Sequence, residues 1–230
     1  MREASKTNRI RGKDFPGLYL QGKVLDIGAG ADLVCGWAQG FDVQDGDANV
    51  IHRYFPPESF DTVHSSHCLE HMLDPAAALR NWWSLVRPGG FMILTVPDED
   101  LYEQGIWPSA FNDDHKFTFR LDGDHSWSPV SFEVRSLVLS LERAQIVSAQ
   151  RHDFNYDLAL TYPKGRAPRR RVRQPLKLAL SIAKRIPGSN GRVERSLRKW
   201  MLARGYPLDQ TRFDALAQIQ VIARKLPAAP

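Results

Sequence analysis

The nine residues GKVLDIGAG, 22–30, constrain this chain more than any other stretch. A short aliphatic and β-branched run that closes on glycines is a buried parallel strand entering a tight turn. Asp26, Gly28 and Gly30 then sit at the carboxyl end of the first strand, where glycine lets a ligand approach the backbone. A dinucleotide-binding loop would want a third glycine where Leu33 stands. A phosphate loop would want Gly-Lys-Ser/Thr, which the chain lacks. What remains is D-x-G-x-G after a first strand.

Downstream, strand and helix patterns alternate. QGFDV, 39–43, and SFDTVHSS, 59–66, are further strands, and FMILTVP, 91–97, is the most strand-like run. Between them, Asp74-Pro75 suits a helix N-cap and first position. Leu79, Trp82, Trp83 and Val86 follow at i, i+3, i+4, i+7, and Pro88-Gly89-Gly90 closes the helix. A polar, aromatic-rich loop covers roughly 98–127, and Ser128-Pro129 caps a helix that runs to about Ala144. Residues 145–154 and 215–225 alternate as strands, with a helix the alternative for the second. The pattern is a doubly wound α/β fold, whose ligands sit at the carboxyl ends of the strands.

The chain has 230 residues, 43% of them hydrophobic, which excludes global disorder. It has no 18-residue apolar run, and its polar N-terminus lacks the core of a signal peptide. Cys35 and Cys68 form no disulfide framework, so the expected location is cytoplasmic. The net charge of +5 hides an asymmetry. Residues 164–204 hold 14 Lys/Arg and one acid, Glu194, for +13, while the remainder has 17 basic and 25 acidic residues, or −8. An acidic body carries a basic insert.

VLDIGAG, GFDV, DGDA, SFDTVHSSHCLEHM and LVRPGGFMILTVPDED, taken together, resemble a class I S-adenosylmethionine-dependent methyltransferase. The likeness spans about residues 22–100, in the manner of the small bacterial enzymes that methylate sugars. It implies a Rossmann-like, mostly parallel sheet of seven strands with the last antiparallel. It also implies S-adenosylmethionine as cofactor: Gly28 and Gly30 beside its amino-acid moiety with Asp26 nearby, Asp42 on the ribose, Asp47-Ala48 by the adenine, and Ser66 facing the sulfonium. A carboxylate can accept from two ribose hydroxyls at once. Asp32 stands where the family often has a small residue. Asp42 follows Gly30 by only 12 positions, so the first helix is short and the third strand short or missing. Which of Asp42, Asp45 and Asp47 takes which role stays open.

The stretch SSHCLEH, 65–71, also fits H-x-x-E-H, a zinc peptidase pattern. That pattern needs a long helix, and here it lies between a strand end and a new N-cap. No metal site is therefore expected from it. His67 and Glu70 either order the turn or touch cofactor or substrate, while His71 packs. Asp98, Glu99, Asp100, Asp113 and Asp114 form an acidic group that suits Mg²⁺ in principle, but solvated loop charge accounts for it.

Methyl transfer to an alcohol requires near-attack placement and a base. His115, flanked by Asp113 and Asp114, is the first candidate, with His64 and His67 in reserve. His67, Tyr102, Trp107 and Asp114, with Phe111, are candidates for the acceptor pocket. Residues 1–160 and 211–230 form the expected core and 161–210 a basic helical insert before the last strand. The insert's stretches 175–188 and 192–205 are basic amphipathic helices. They suit an anionic membrane surface at the inner face, a lipid-linked substrate, nucleic acid, or docking on the core or in a homodimer. The leading expectation is O-methylation of a sugar or polysaccharide precursor. An RNA or protein methyltransferase and a non-catalytic cofactor-binding scaffold are the alternatives.

Overall fold

The computed structural model describes residues 3–123, 125–163 and 192–228. Its main strands are β1 (Val24–Ile27), β2 (Gln39–Phe41), β3 (Phe60–Ser66), β4 (Val86–Pro97), β7 (Ala144–His152) and β8 (Gln218–Lys225). They form one sheet in the order β2-β1-β3-β4-β8-β7. β8 is antiparallel to both neighbours, and β1 is parallel to β2 and β3, as β3 is to β4. A separate parallel pair joins β5 (Thr118–Arg120) to β6 (Ser131–Glu133).

Among the described residues the main sheet has six strands where seven were expected. The stretch between β2 and β3 is spent on a 3₁₀ segment, Ala48–Arg53, capped by Asp47, so the missing third strand is real. No helix lies between β1 and β2 either, which corrects the expectation of a short one. The N-terminal segment fills that face instead. Helices α1 (Glu3–Asn8) and α2 (Phe15–Tyr19) lie there, and Phe15 and Leu20 pack with Val24, Val34, Ala38, Ile93 and Ile222.

The opposite face is covered by α3 (Pro75–Ser84). Asp74 caps it by accepting from Ala77 N at 3.0 Å. Leu79, Trp82 and Trp83 are buried, and each indole N–H reaches a backbone carbonyl: Trp82 to Ala48 at 2.8 Å, Trp83 to Glu142 at 2.9 Å. The helix ends at Ser84, before Pro88-Gly89-Gly90, which lies inside β4. A Cβ on Gly90 would sit 2.5 Å from the Asp61 carbonyl, so that glycine admits close strand packing.

One further expectation is corrected. Ser128-Pro129 does not start a helix: β6 comes first, and Glu133 caps α4 (Val134–Leu139) by accepting from Arg135 N and Ser136 N. Phe132 stacks beside Phe119 and packs edge-on to Phe117, a tertiary gain that outweighs the local capping preference. Residues 218–225 are the strand that the alternation predicts and not the helical alternative, because β8 is buried between two partners and carries Ile219, Val221 and Ile222. The helix expected over 192–205 is α5 (Arg192–Ala203), whose Met201 and Leu202 pack against Ile106, Leu160 and Tyr162. The helix expected over 175–188 lies outside the described residues. No described helix is long and apolar enough to cross a membrane.

Trp82 ties α3 to the segment that replaces a strand. Trp82→Ala should cost about 3–5 kcal/mol, lowering the melting temperature by roughly 6–20 °C for a chain of this size. A thermal scan showing a drop under about 2 °C would contradict this packing.

Candidate active site

A cavity of about 550 Å³ opens at the carboxyl ends of β1, β2 and β3. Its wall combines the turn 28–32 with Asp26, Asp42, Ser66, His67, Glu70, His71, Tyr102 and His115. The distant residues Glu3, Ala4 and Thr211 also line it.

Asp26 is a buried anchor beneath this wall. Its Oδ2 accepts from Val34 N at 2.6 Å, tying β1 to the far end of the helix-less loop. Its Oδ1 accepts from His64 Nδ1 at 2.6 Å. Asp26 only accepts and Arg11 only donates, so His64 carries its proton on Nδ1 and presents Nε2 to Arg11 Nη2 at 3.3 Å. Arg11 also donates to Gln220 Oε1 on β8. Burial pulls the Arg11 guanidinium down to about 10, against the charge of Asp26, and it stays a cation at neutral pH. Both His64 nitrogens are engaged, so His64 is no reserve base.

The turn above is shaped by backbone demands. Gly28 has φ +75°, and a Cβ there would sit 2.7 Å from Cys68 Cβ. Gly30 N donates to Asp42 Oδ2 at 2.6 Å, and Val43 N donates to Asp42 Oδ1 at 2.7 Å. Each carboxylate oxygen keeps acceptor capacity towards the cavity. Asp32, in the family's small-residue place, accepts from Ser5 N and Oγ and so pins α1 to the turn.

Asp45 and Asp47 separate from Asp42 here. Asp45 accepts from Asp42 N at 2.9 Å, and Asp47 caps the 3₁₀ segment through Asn49. The Asn49 hydrogen bonds hold the Asp47 carboxyl below its usual range. Neither Asp47 nor Ala48 lines the cavity; the carbonyl of Ala48 is spent on Trp82.

The other half of the wall is rich in titratable groups. His115 is buried and stacks on Tyr102 with centroids 5.1 Å apart. Its Nδ1 lies 2.7 Å from Glu103 Oε1, so the Nδ1–H donates to that carboxylate and Nε2 is left with its lone pair. Burial alone would lower the His115 pKa, but the Glu103 hydrogen bond and the charge of Glu70 more than offset it and raise it. Glu103 comes from a single π-helical turn, Glu99–Glu103, that Asp98 caps through Asp100 N and Leu101 N. Burial pushes the Tyr102 hydroxyl far up, so it remains a phenol.

The SSHCLEH stretch forms the seam between the halves. Ser66 Oγ is buried without a hydrogen-bond partner. His67, at φ +53°, bonds Gln218 Oε1 through Nε2 at 3.0 Å. Glu70 is fully buried, and neither carboxylate oxygen has a hydrogen-bond partner. Cys68 is an inert thiol: burial, then the charge of Glu70, pushes it up to about 12.

Several expected residues stand elsewhere. Trp107 and Asp114 do not line the cavity; Asp114 holds His71 Nδ1 at 2.9 Å. Phe111 packs edge-on against Tyr102 rather than lining it. The acidic group splits: Asp113 and Asp114 are exposed as expected of solvated charge, whereas the other three are taken up by protein partners. Asp98 is buried against Arg151 at 2.7 Å, Glu99 takes the hydroxyls of Thr118, Ser126 and Ser131, and Asp100 takes the Trp127 indole N–H. Glu103, Glu3, Ala4 and Thr211 were not foreseen. No local pattern marks them, although a carboxylate that orients a buried histidine is a natural demand.

A family model described as a methyltransferase domain matches residues 4–138. The chain belongs to that family. It is a class I methyltransferase of the S-adenosylmethionine-dependent kind, and S-adenosylmethionine is its cofactor. No curated protein matches the sequence. Among solved structures, an S-adenosylmethionine-dependent methyltransferase from Archaeoglobus fulgidus is 16% identical, with 98% of this chain and 95% of that chain covered and a TM-score of 0.50. The YcgJ protein from Bacillus subtilis is 14% identical, over 91% of this chain and 94% of that one, with a TM-score of 0.48. The first of these shares the Rossmann-like methyltransferase fold, and the mostly parallel sheet with antiparallel β8 conforms to it.

In this methyltransferase the Gly28 position leaves no space for a methyl group. Gly28→Ala should weaken S-adenosylhomocysteine binding at least tenfold by calorimetry, whereas Gly12→Ala, with open space around it, should not. Equal affinities for the two variants would remove the turn from the binding site.

Proposed function

We propose that the cavity seats S-adenosylmethionine against Gly28, Gly30 and Asp42, and that the chain methylates a hydroxyl of a sugar-sized acceptor at the His115 end. The donor set fits such a cofactor. Asp42 offers acceptor capacity for ribose hydroxyls, and Ser66 Oγ is a buried hydroxyl still lacking a partner beside the turn. The cofactor supplies a methyl group on a sulfonium. The observation that carries the reading is the Glu103–His115 pair, 2.7 Å long, whose His115 lines the same cavity as the glycine turn.

The acceptor must lose a proton as its oxygen takes the methyl. With Nδ1–H held by Glu103, His115 Nε2 is oriented to take that proton, and Glu103 stabilises the imidazolium. Tyr102 fixes the ring by stacking and offers a flat face to a sugar. Burial of both groups excludes competing water.

We divide the chain into a core, 1–160 and 211–230, and an insert, 161–210. Support comes from α5, whose apolar side packs on Ile106 and Leu160 beside the acceptor loop. Its exposed Lys199, with Arg195 held on Asp157 at 2.7 Å, favours an acceptor with phosphate groups, such as a lipid-linked sugar at an anionic surface.

The test is methyl turnover against nucleotide sugars, lipid-linked sugars and RNA. We expect a sugar acceptor, and His115→Ala should cut turnover at least 100-fold with S-adenosylmethionine affinity held within about threefold. Methylation of RNA alone would overturn the acceptor, and unchanged turnover in the variant would overturn the role of His115.

A further inference from the structure

We propose that Glu70, His71 and His115 form a site for a divalent first-row transition metal ion at the acceptor end of the cavity. The inference rests on the reading of that end as the acceptor site and deepens it. One ligand atom from each of the three residues lies within 4.8 Å of the others.

The argument starts from hydrogen-bond accounting. Glu70 is fully buried, and both its oxygens lack a partner. Leaving a buried charged acceptor unpaired is costly, and such groups are rare unless something occupies the site. Three imidazoles approach it: His67 Nδ1, 3.6 Å from Glu70 Oε1, stands outside the three-residue cluster, and the other two belong to it. His115 Nε2 lies 3.8 Å and His71 Nε2 3.9 Å from Glu70 Oε1, both beyond hydrogen-bond reach.

Each ring has its other nitrogen committed. His115 Nδ1 is held by Glu103 at 2.7 Å, and His71 Nδ1 by Asp114 at 2.9 Å. Those carboxylates keep the protons on Nδ1 and leave two Nε2 lone pairs pointing at a carboxylate. With both rings neutral the three facing atoms are all acceptors, an arrangement that a bound cation relieves. Carboxylates that orient ligating histidines in this way are the usual outer shell of a metal site.

The Glu70 spacings suit an ion after a small contraction. Ligand atoms about 2.0–2.2 Å from a tetrahedral metal lie roughly 3.3 Å apart, so the Glu70 contacts need to close by about half an ångström. Two imidazoles and one carboxylate suit Zn²⁺, Mn²⁺, Fe²⁺ or Co²⁺ better than Mg²⁺, which prefers oxygen and water. Three protein ligands leave coordination positions open. The zinc-like spacing in SSHCLEH thus contributes Glu70 and His71, with the third ligand from His115 instead of His67.

An acceptor hydroxyl at an open position would be acidified by the ion. Its proton leaves to solvent, its oxygen forms the new C–O bond, and the methyl–sulfur bond breaks with the electron pair passing to sulfur. In that state His115 is a ligand rather than the proton acceptor. His115→Ala fails in both cases, so chelation separates them.

The experiment titrates the tag-free, chelator-stripped 230-residue chain with Zn²⁺ by calorimetry, and with Co²⁺ for visible absorption. S-adenosylhomocysteine binding to the same samples reports folding. We expect one ion per chain, at least 100-fold weaker binding in Glu70→Gln and His71→Ala, and S-adenosylhomocysteine affinity within about threefold throughout. Glu103→Gln should weaken the ion 10–100-fold. No saturable binding by the wild-type chain, or wild-type affinity in Glu70→Gln and His71→Ala, would overturn the site. Turnover that survives chelation would overturn its part in methyl transfer. Should S-adenosylhomocysteine fail to bind while Zn²⁺ does, the cofactor reading falls and the metal site stands; the reverse result removes the metal site alone.

Discussion

The buried carboxylate of Asp26 is the constraint on which the cofactor side depends. Class I folds normally brace the first turn with a helix between the first two strands, and this chain has none there. Asp26 holds the amide of Val34 in place of that helix, while His64, Arg11 and Gln220 carry the same network across β3 and the N-terminal segment to β8. Breaking a buried charged network by removing one partner costs about 3–5 kcal/mol, so the loop that bears Gly28 and Gly30 is bound to the sheet. The N-terminal helices then complete the face, with Thr7 receiving Gln218 Nε2 at 2.8 Å and Asp32 receiving Ser5.

The cavity has two chemically distinct halves. The half near Asp42 is built from backbone conformation: positive φ at two glycines and a carboxylate that already organises two amides. The half near His115 is built from side chains whose orientation is fixed by others: Glu103 on His115, Asp114 on His71, and Gln218 on His67. A methyl donor needs shape and hydroxyl acceptors, and the alcohol acceptor we propose would need something to accommodate a leaving proton. The seam between the two is Ser66 to His71, where β3 ends.

Much of this was legible in the sequence because it rests on local rules. The strand-turn VLDIGAG, the Asp74-Pro75 cap, the aliphatic run 91–97 and the placement of Asp42 follow from period and residue type. The missing third strand followed from the tight spacing of Asp42 and Asp47. Non-local facts stayed hidden. Glu103 and His115 meet because a π-helical turn rotates Glu103 inward, and no short motif encodes that contact. Ser128-Pro129 satisfied a local helix rule, but ring packing by Phe132 decided that segment. Glu3 and Ala4 reach the cavity only because the first helix is absent, which a polar N-terminus does not announce.

The central claim is that the turn 28–30, braced by Asp26 and Asp42, is the seat of the adenosyl group. A crystal structure with S-adenosylhomocysteine tests it most directly. The account predicts density along Gly28–Gly30 with the ribose hydroxyls on Asp42 and the sulfur towards the His115 end. Ligand bound elsewhere, with this turn and Asp42 left bare, would contradict it.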